Sequence, residues 1–194
     1  MKKFFSLLFL ALFVGSISLS AQNFATKGTF EFGGSIGFSS TTDVNNGESS
    51  DNSLSNFSFE PYVGYFVINS LELGIIPAFS TSSYGDNSTT SFGVYFAPAW
   101  NFDLKSNLFP FLEGRIGYNT FSYDDGNSET DDPSNSGLAW GLRGGVKVQV
   151  GNSALVNLAL SYDQITLNPE NWDGDRNGAN VLGINAGLTI FLGK

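Results

Sequence analysis

From Gly28 onward, apolar and polar positions alternate with period two, the pattern of strands with two unlike faces. Eight such runs are predicted. The first covers about Gly28 to Ser39, with Phe30, Phe32, Ile36 and Phe38 on one face and Glu31, Gly33, Ser35 and Gly37 on the other. The second runs from about Leu54 to Phe66, the third from Leu71 to Ser80 and the fourth from Ser91 to Phe102. The fifth covers about Leu108 to Tyr123, and its start is ambiguous because Phe109 and Phe111 fall on the polar face. The last three are about Gly137 to Val150, Ala154 to Leu167 and Val181 to Leu192.

The connections alternate in length. Val67 to Ser70, Asp103 to Asn107 and Gly151 to Ser153 are short. Thr41 to Ser53, Thr81 to Thr90, Asp124 to Ser136 and Asn168 to Asn180 are long and polar. Strands joined by short turns at one end and long loops at the other predict an all-β fold, an eight-stranded antiparallel up-and-down transmembrane β-barrel. The short turns are then expected to face the periplasm and the long loops the outside.

Alternation also fits a soluble barrel with its apolar face inward, which would bind a ligand in a buried cavity. Side-chain size separates the two. The apolar face carries Phe, Trp, Leu and Ile, whereas the other is largely Gly, Ala, Ser and Asn. An eight-stranded barrel has an interior just wide enough for side chains to fill, so the small polar face fits inside. Glu31, Glu60, Glu72, Glu113 and Asp163 share that face with Arg115, Arg143 and Lys147. Both signs on one buried face predict a hydrogen-bonded ion network, because isolated buried charges are costly. Outward aromatic residues gather near both strand ends: Tyr65, Trp100 and Phe102 toward the short turns, and residues such as Phe38, Phe79 and Trp140 toward the long loops. Two such girdles mark two membrane interfaces. Pro61, Pro77, Pro98 and Pro110 fall inside strands, and a closed barrel has no edge to hold them. Symmetric hairpins would set Pro61 opposite Pro77 and Pro98 opposite Pro110.

Composition adds an address. Met1, Lys2 and Lys3 precede an apolar run from Phe4 to Val14 and a small-residue exit ending at Ala21. Residues 1–21 therefore read as a secretory signal peptide, cleaved after Ser20 or Ala21, with residues 22–194 forming the barrel domain. The apolar run is too short to cross a membrane as a helix. The chain has no Cys, so disulfides do not staple it. Its net charge of -9 disfavours nucleic acid as a partner.

On these features the chain resembles the porin-like outer-membrane β-barrel family that includes the OmpA transmembrane domain and OmpX. The specific residues are PYVGYFV, Pro61 to Val67, and then LELGIIPAF. The last strand is similar to the family's assembly signal, with Gly183 followed by Ala186, Leu188 and Ile190, although the chain ends in Gly193-Lys194 and not in an aromatic residue. The resemblance implies an outer membrane of Gram-negative type, contact with membrane lipid and lipopolysaccharide, and delivery by the outer-membrane assembly machinery. A monomer is expected. No cell-wall-binding domain follows the barrel, so a tether of that kind is not expected.

Candidate chemistry is sparse. The chain has no His and no Cys, and barrel enzymes of this size class use His as base, so no catalytic residue is assigned. Glu60 and Glu113 read as lumen ion partners. The long loops hold 12 of the 18 acidic residues, which makes divalent cations or a surface ligand the candidate partners there. Asp173, Asp175 and Asn177 match the opening of a calcium loop, but Arg176 intrudes and position twelve is Ile184. No other cofactor is expected. The role predicted is structural support or surface recognition and adhesion. The alternative is a small porin-like channel for ions or small solutes.

Overall fold

The computed structural model describes residues 24–45, 47–84, 87–124, 134–167 and 177–193. Within them lie β1 (Phe30–Asn45), β2 (Glu48–Ile68), β3 (Leu71–Tyr84), β4 (Asn87–Asn101), β5 (Leu108–Asp124), β6 (Ser134–Val150), β7 (Ala154–Leu167) and β8 (Gly178–Leu192). Each strand pairs antiparallel with its neighbour, and β1 pairs with β8, which closes the barrel. Closure satisfies every strand's backbone groups without an edge, the condition a strand structure must meet in lipid.

The faces are inside out relative to a soluble protein. On β6, Trp140 is 50% exposed and Arg143 only 8%. The same parity runs round the barrel, with Phe38, Phe96, Ile116, Leu158 and Ile184 pointing out and Glu31, Glu60, Glu113 and Asp163 buried within. A contiguous apolar surface of this extent needs lipid to cover it. That excludes the soluble ligand-binding barrel. The outer aromatic residues pair across strands: Phe30 with Tyr65 near the short turns, and Phe38 with Phe57 and Phe79 with Phe92 toward the other end.

Three sequence expectations need correction. The first two long connections are mostly strand. The β1–β2 ladder continues to Asn45 opposite Glu48, and β3–β4 to Tyr84 opposite Asn87. Beyond the lipid both faces of a hairpin are wet, so the ladder persists after the apolar alternation stops. Second, Pro98 is not opposite Pro110. Pro98 sits at the interruption of the β4–β5 ladder, in register with Gly114, while Pro110 pairs with Val146. Pro61 and Pro77 do face one another where the β2–β3 ladder is interrupted between Phe59–Phe79 and Val63–Ile75. Third, Phe66, Phe109, Phe111, Leu155 and Phe191 are buried, so the inner face turns apolar at the short-turn end.

Candidate functional site

The lumen is built in tiers, and the lowest is a cork. The segment before β1 folds across the short-turn opening. Ser70 N donates to Ala25 O at 2.9 Å, and Gly28 N donates to Phe66 O at 2.8 Å. Ala25 takes φ 62°, a left-handed turn that reverses the chain there. This places the Phe24 ring, 1% exposed, inside the barrel end. It meets Phe66, Phe109 and Phe191 with centroid distances of 5.1, 5.0 and 5.4 Å.

Above the cork lies a cationic centre with two acids. Lys147 Nζ, 5.1 Å from the Phe24 ring centroid, donates to Glu31 Oε2 at 2.6 Å and to Glu72 Oε2 at 3.1 Å. Thr189 Oγ1 donates to Glu31 Oε1 at 2.7 Å, and Asn101 Nδ2 to Glu72 Oε2 at 3.1 Å. Small neighbours make the room. A Cβ at Gly64 would lie 2.0 Å from Glu72 Oε1 and 2.6 Å from the Tyr62 hydroxyl.

A second cluster follows. Arg115 donates to Glu60 Oε1 at 3.0 Å and to Asp163 Oδ2 at 3.2 Å. Arg143 donates to Glu60 Oε2 at 2.8 Å and to Glu113 Oε2 at 3.0 Å. Glu60 thus bridges both guanidiniums. Arg115, Gly141 and Asp163 share one row across β5, β6 and β7. A Cβ at Gly141 would fall 2.1 Å from Asp163 Oδ1, so only glycine lets the carboxylate lie over that position on its way to Arg115. The Tyr95 ring packs 4.6 Å from the Arg115 guanidinium carbon. All eight charged residues expected in the lumen are engaged in these two clusters, five carboxylates against three cations.

The clusters close the interior. Between them and around Tyr62 the free space is about 20 Å³, room for about one water. Toward the long loops the lumen opens into a cup of about 500 Å³ above Glu60, Arg115 and Asp163. At the other end a pocket of about 530 Å³ lies outside the Phe24 cork, lined by residues of the short turns such as Asp103, Asn107 and Gly151. Asp173 and Asp175 lie outside the described residues. Asn177 is described, and its carbonyl accepts from Leu167 N at 2.9 Å. Among the described residues no group of three or more acidic side chains is placed to hold a metal ion.

The cork is what sequence reasoning missed. Phe66, Phe109, Leu155 and Phe191 each keep the inward parity of their strand, and that parity was the available signal. Phe24 lies outside any strand and carries no periodic signal.

A closed antiparallel barrel with an apolar aromatic exterior and a charged, filled interior is an integral outer-membrane β-barrel. The chain belongs to the outer membrane protein beta-barrel domain family, whose model matches residues 9–189. No curated protein matches the sequence. Among solved structures, Neisserial surface protein A is similar with a TM-score of 0.65 and 19% identity, over 84% of this chain and 99% of that one. The outer membrane protein AlkL, solved in lipid bilayers, is similar with a TM-score of 0.52 and 12% identity, over 91% of this chain and 96% of that one. At these identities the likeness is one of fold.

Proposed function

We propose that this protein is a non-catalytic, non-conducting barrel that presents its long-loop end at the cell surface for recognition or adhesion. The observation that carries the reading is the contrast along the lumen. The middle is filled by six close ion pairs and the short-turn end by the cork, whereas the long-loop end is walled by tall hairpins and left open. A conducting path needs a continuous hydrated lumen, and about 20 Å³ of space between the charge clusters does not supply one. A sequence without His also lacks the imidazole base that barrel enzymes of this size class use. The hairpins β1–β2 and β3–β4 extend the ladder past the aromatic girdle and carry mainly Ser, Thr and Asn, suited to polar contact with a partner. Short turns then face the periplasm. Refolded protein in a planar bilayer should stay at baseline current. Discrete, reproducible conductance steps would replace this reading with the small channel.

A further inference from the structure

The cup is the part of the lumen that the ion clusters leave free, and its volume of about 500 Å³ lies within the range of small-molecule sites, roughly 300–1,000 Å³. About half of its lining residues carry neutral hydroxyl or amide groups, among them Ser39, Ser82, Ser91 and Asn185, and Ile165, Leu167 and Val181 give it an apolar side. Its charge is unbalanced. Asp43, Glu60 and Asp163 line it, with Arg115 the one cation among the described lining residues.

Two acceptors at the floor are unused. Asn119 and Asp163 are each 6% exposed. The Asn119 amide nitrogen donates to the Tyr95 hydroxyl at 3.2 Å, and Asp163 Oδ2 accepts from Arg115. Asn119 Oδ1 and Asp163 Oδ1 have no hydrogen-bond partner among the described residues. Buried acceptors without donors are rare in native proteins, and each is stabilised when a donor arrives.

We infer that the cup binds a small cationic, hydroxyl-rich solute of the amino-sugar class. The inference deepens the surface-recognition reading and rests on it. An ammonium group supplies several donors and no acceptor, matching the Asp163 and Asn119 oxygens. The net negative lining attracts it and repels anions. Ring hydroxyls exchange hydrogen bonds with the Ser and Asn wall, and Tyr95 and Phe121 offer apolar surface to the ring carbons.

The test is calorimetric titration of the full chain in zwitterionic phosphocholine micelles, whose headgroups carry no sugar. Glucosamine should bind saturably, glucose at least tenfold more weakly, and glucuronate not at all. Asp163→Asn should weaken glucosamine about tenfold, as loss of one charge contact does, and leave glucose unchanged. Ser82→Trp should fill the cup from its wall and abolish binding, with Ser91→Phe as a second filling variant. Migration as a compact, heat-modifiable band reports folding of each variant separately. Absence of saturable glucosamine binding, equal binding of glucuronate, or undiminished binding in a folded cup-filled variant would overturn the assignment. Conductance reads the sealed lumen independently, so a silent barrel that ignores glucosamine refutes the cup and leaves the closed barrel standing.

Discussion

Gly141 and Gly117 act through the side chains they lack. On the inward rows, neighbouring strands and charged groups approach so closely that a methyl has no place. At Gly117 an added Cβ would lie 2.1 Å from Val94 O, a backbone atom that cannot step aside. At Gly144, which faces outward, the nearest atoms would be 3.7 and 3.8 Å away. Gly117→Ala should therefore destabilise by about 1–3 kcal/mol, while Gly144→Ala should change stability by no more than about 0.5 kcal/mol. Urea unfolding in lipid vesicles measures both. The same method tests Lys147. Lys147→Met strands Glu31 and Glu72 together in a dry interior and should cost about 3–5 kcal/mol. Adding Glu31→Gln and Glu72→Gln should recover most of that loss, because it removes the charges that need a cation. If the triple variant is no better than Lys147→Met, the site is not held by charge balance.

At the scale of elements, the strands divide into a part in lipid and a part above it. The lipid part was legible in the sequence because one face must be apolar and the other small. Phe92, Val94 and Phe96 against Gly93, Tyr95 and Ala97 leave no ambiguity of parity. The upper part was not legible as strand. Ser80 to Ser83 opposite Ser88 to Ser91 form a ladder with no apolar face to declare it. The inward charges were also legible, since each shares parity with its strand's glycines or, for Asp163 on β7, with Asn157, Ala159 and Ser161. Which acid meets which base was not, because Glu60 joins Arg115 and Arg143 from strands β5 and β6 across the lumen. Phe24 was not legible either, since its seat is made by four strand ends distant in sequence. Phe24→Ala should destabilise by about 3–5 kcal/mol, the usual range for a buried Phe, with the barrel otherwise intact by circular dichroism. No change on unfolding would mean that the cork contributes nothing to the barrel. The orientation is tested on the same elements. The chain has no cysteine, so single cysteines report cleanly. On intact cells, Gly47→Cys should react with a membrane-impermeant maleimide and Ser106→Cys should not. The reverse pattern would invert the assigned sides.

For the whole molecule, the decisive physics is the exchange of inside and outside. Closure hides every strand edge, apolar side chains take the place that a soluble protein gives to charge, and charge takes the place of a core. The five acids and three bases within are tolerated because each touches a partner and because glycines open the space for them. Filling of the lumen and openness of the cup follow from the same barrel diameter: eight strands leave room for one set of side chains, so larger residues seal it and small ones leave a cavity. The most direct test of this arrangement compares two neighbouring positions on β7. Leu158 is 57% exposed on the outer face, and Ser161 is 6% exposed within, where its hydroxyl donates to Asn185 at 3.2 Å. Folding free energies in lipid vesicles should fall by about 2–4 kcal/mol for Leu158→Arg, which sets a charge in the hydrocarbon, and by less than about 1 kcal/mol for Ser161→Thr, which keeps the hydroxyl. Equal losses, or a larger loss at Ser161, would contradict the assigned faces and with them the outer-membrane barrel described above.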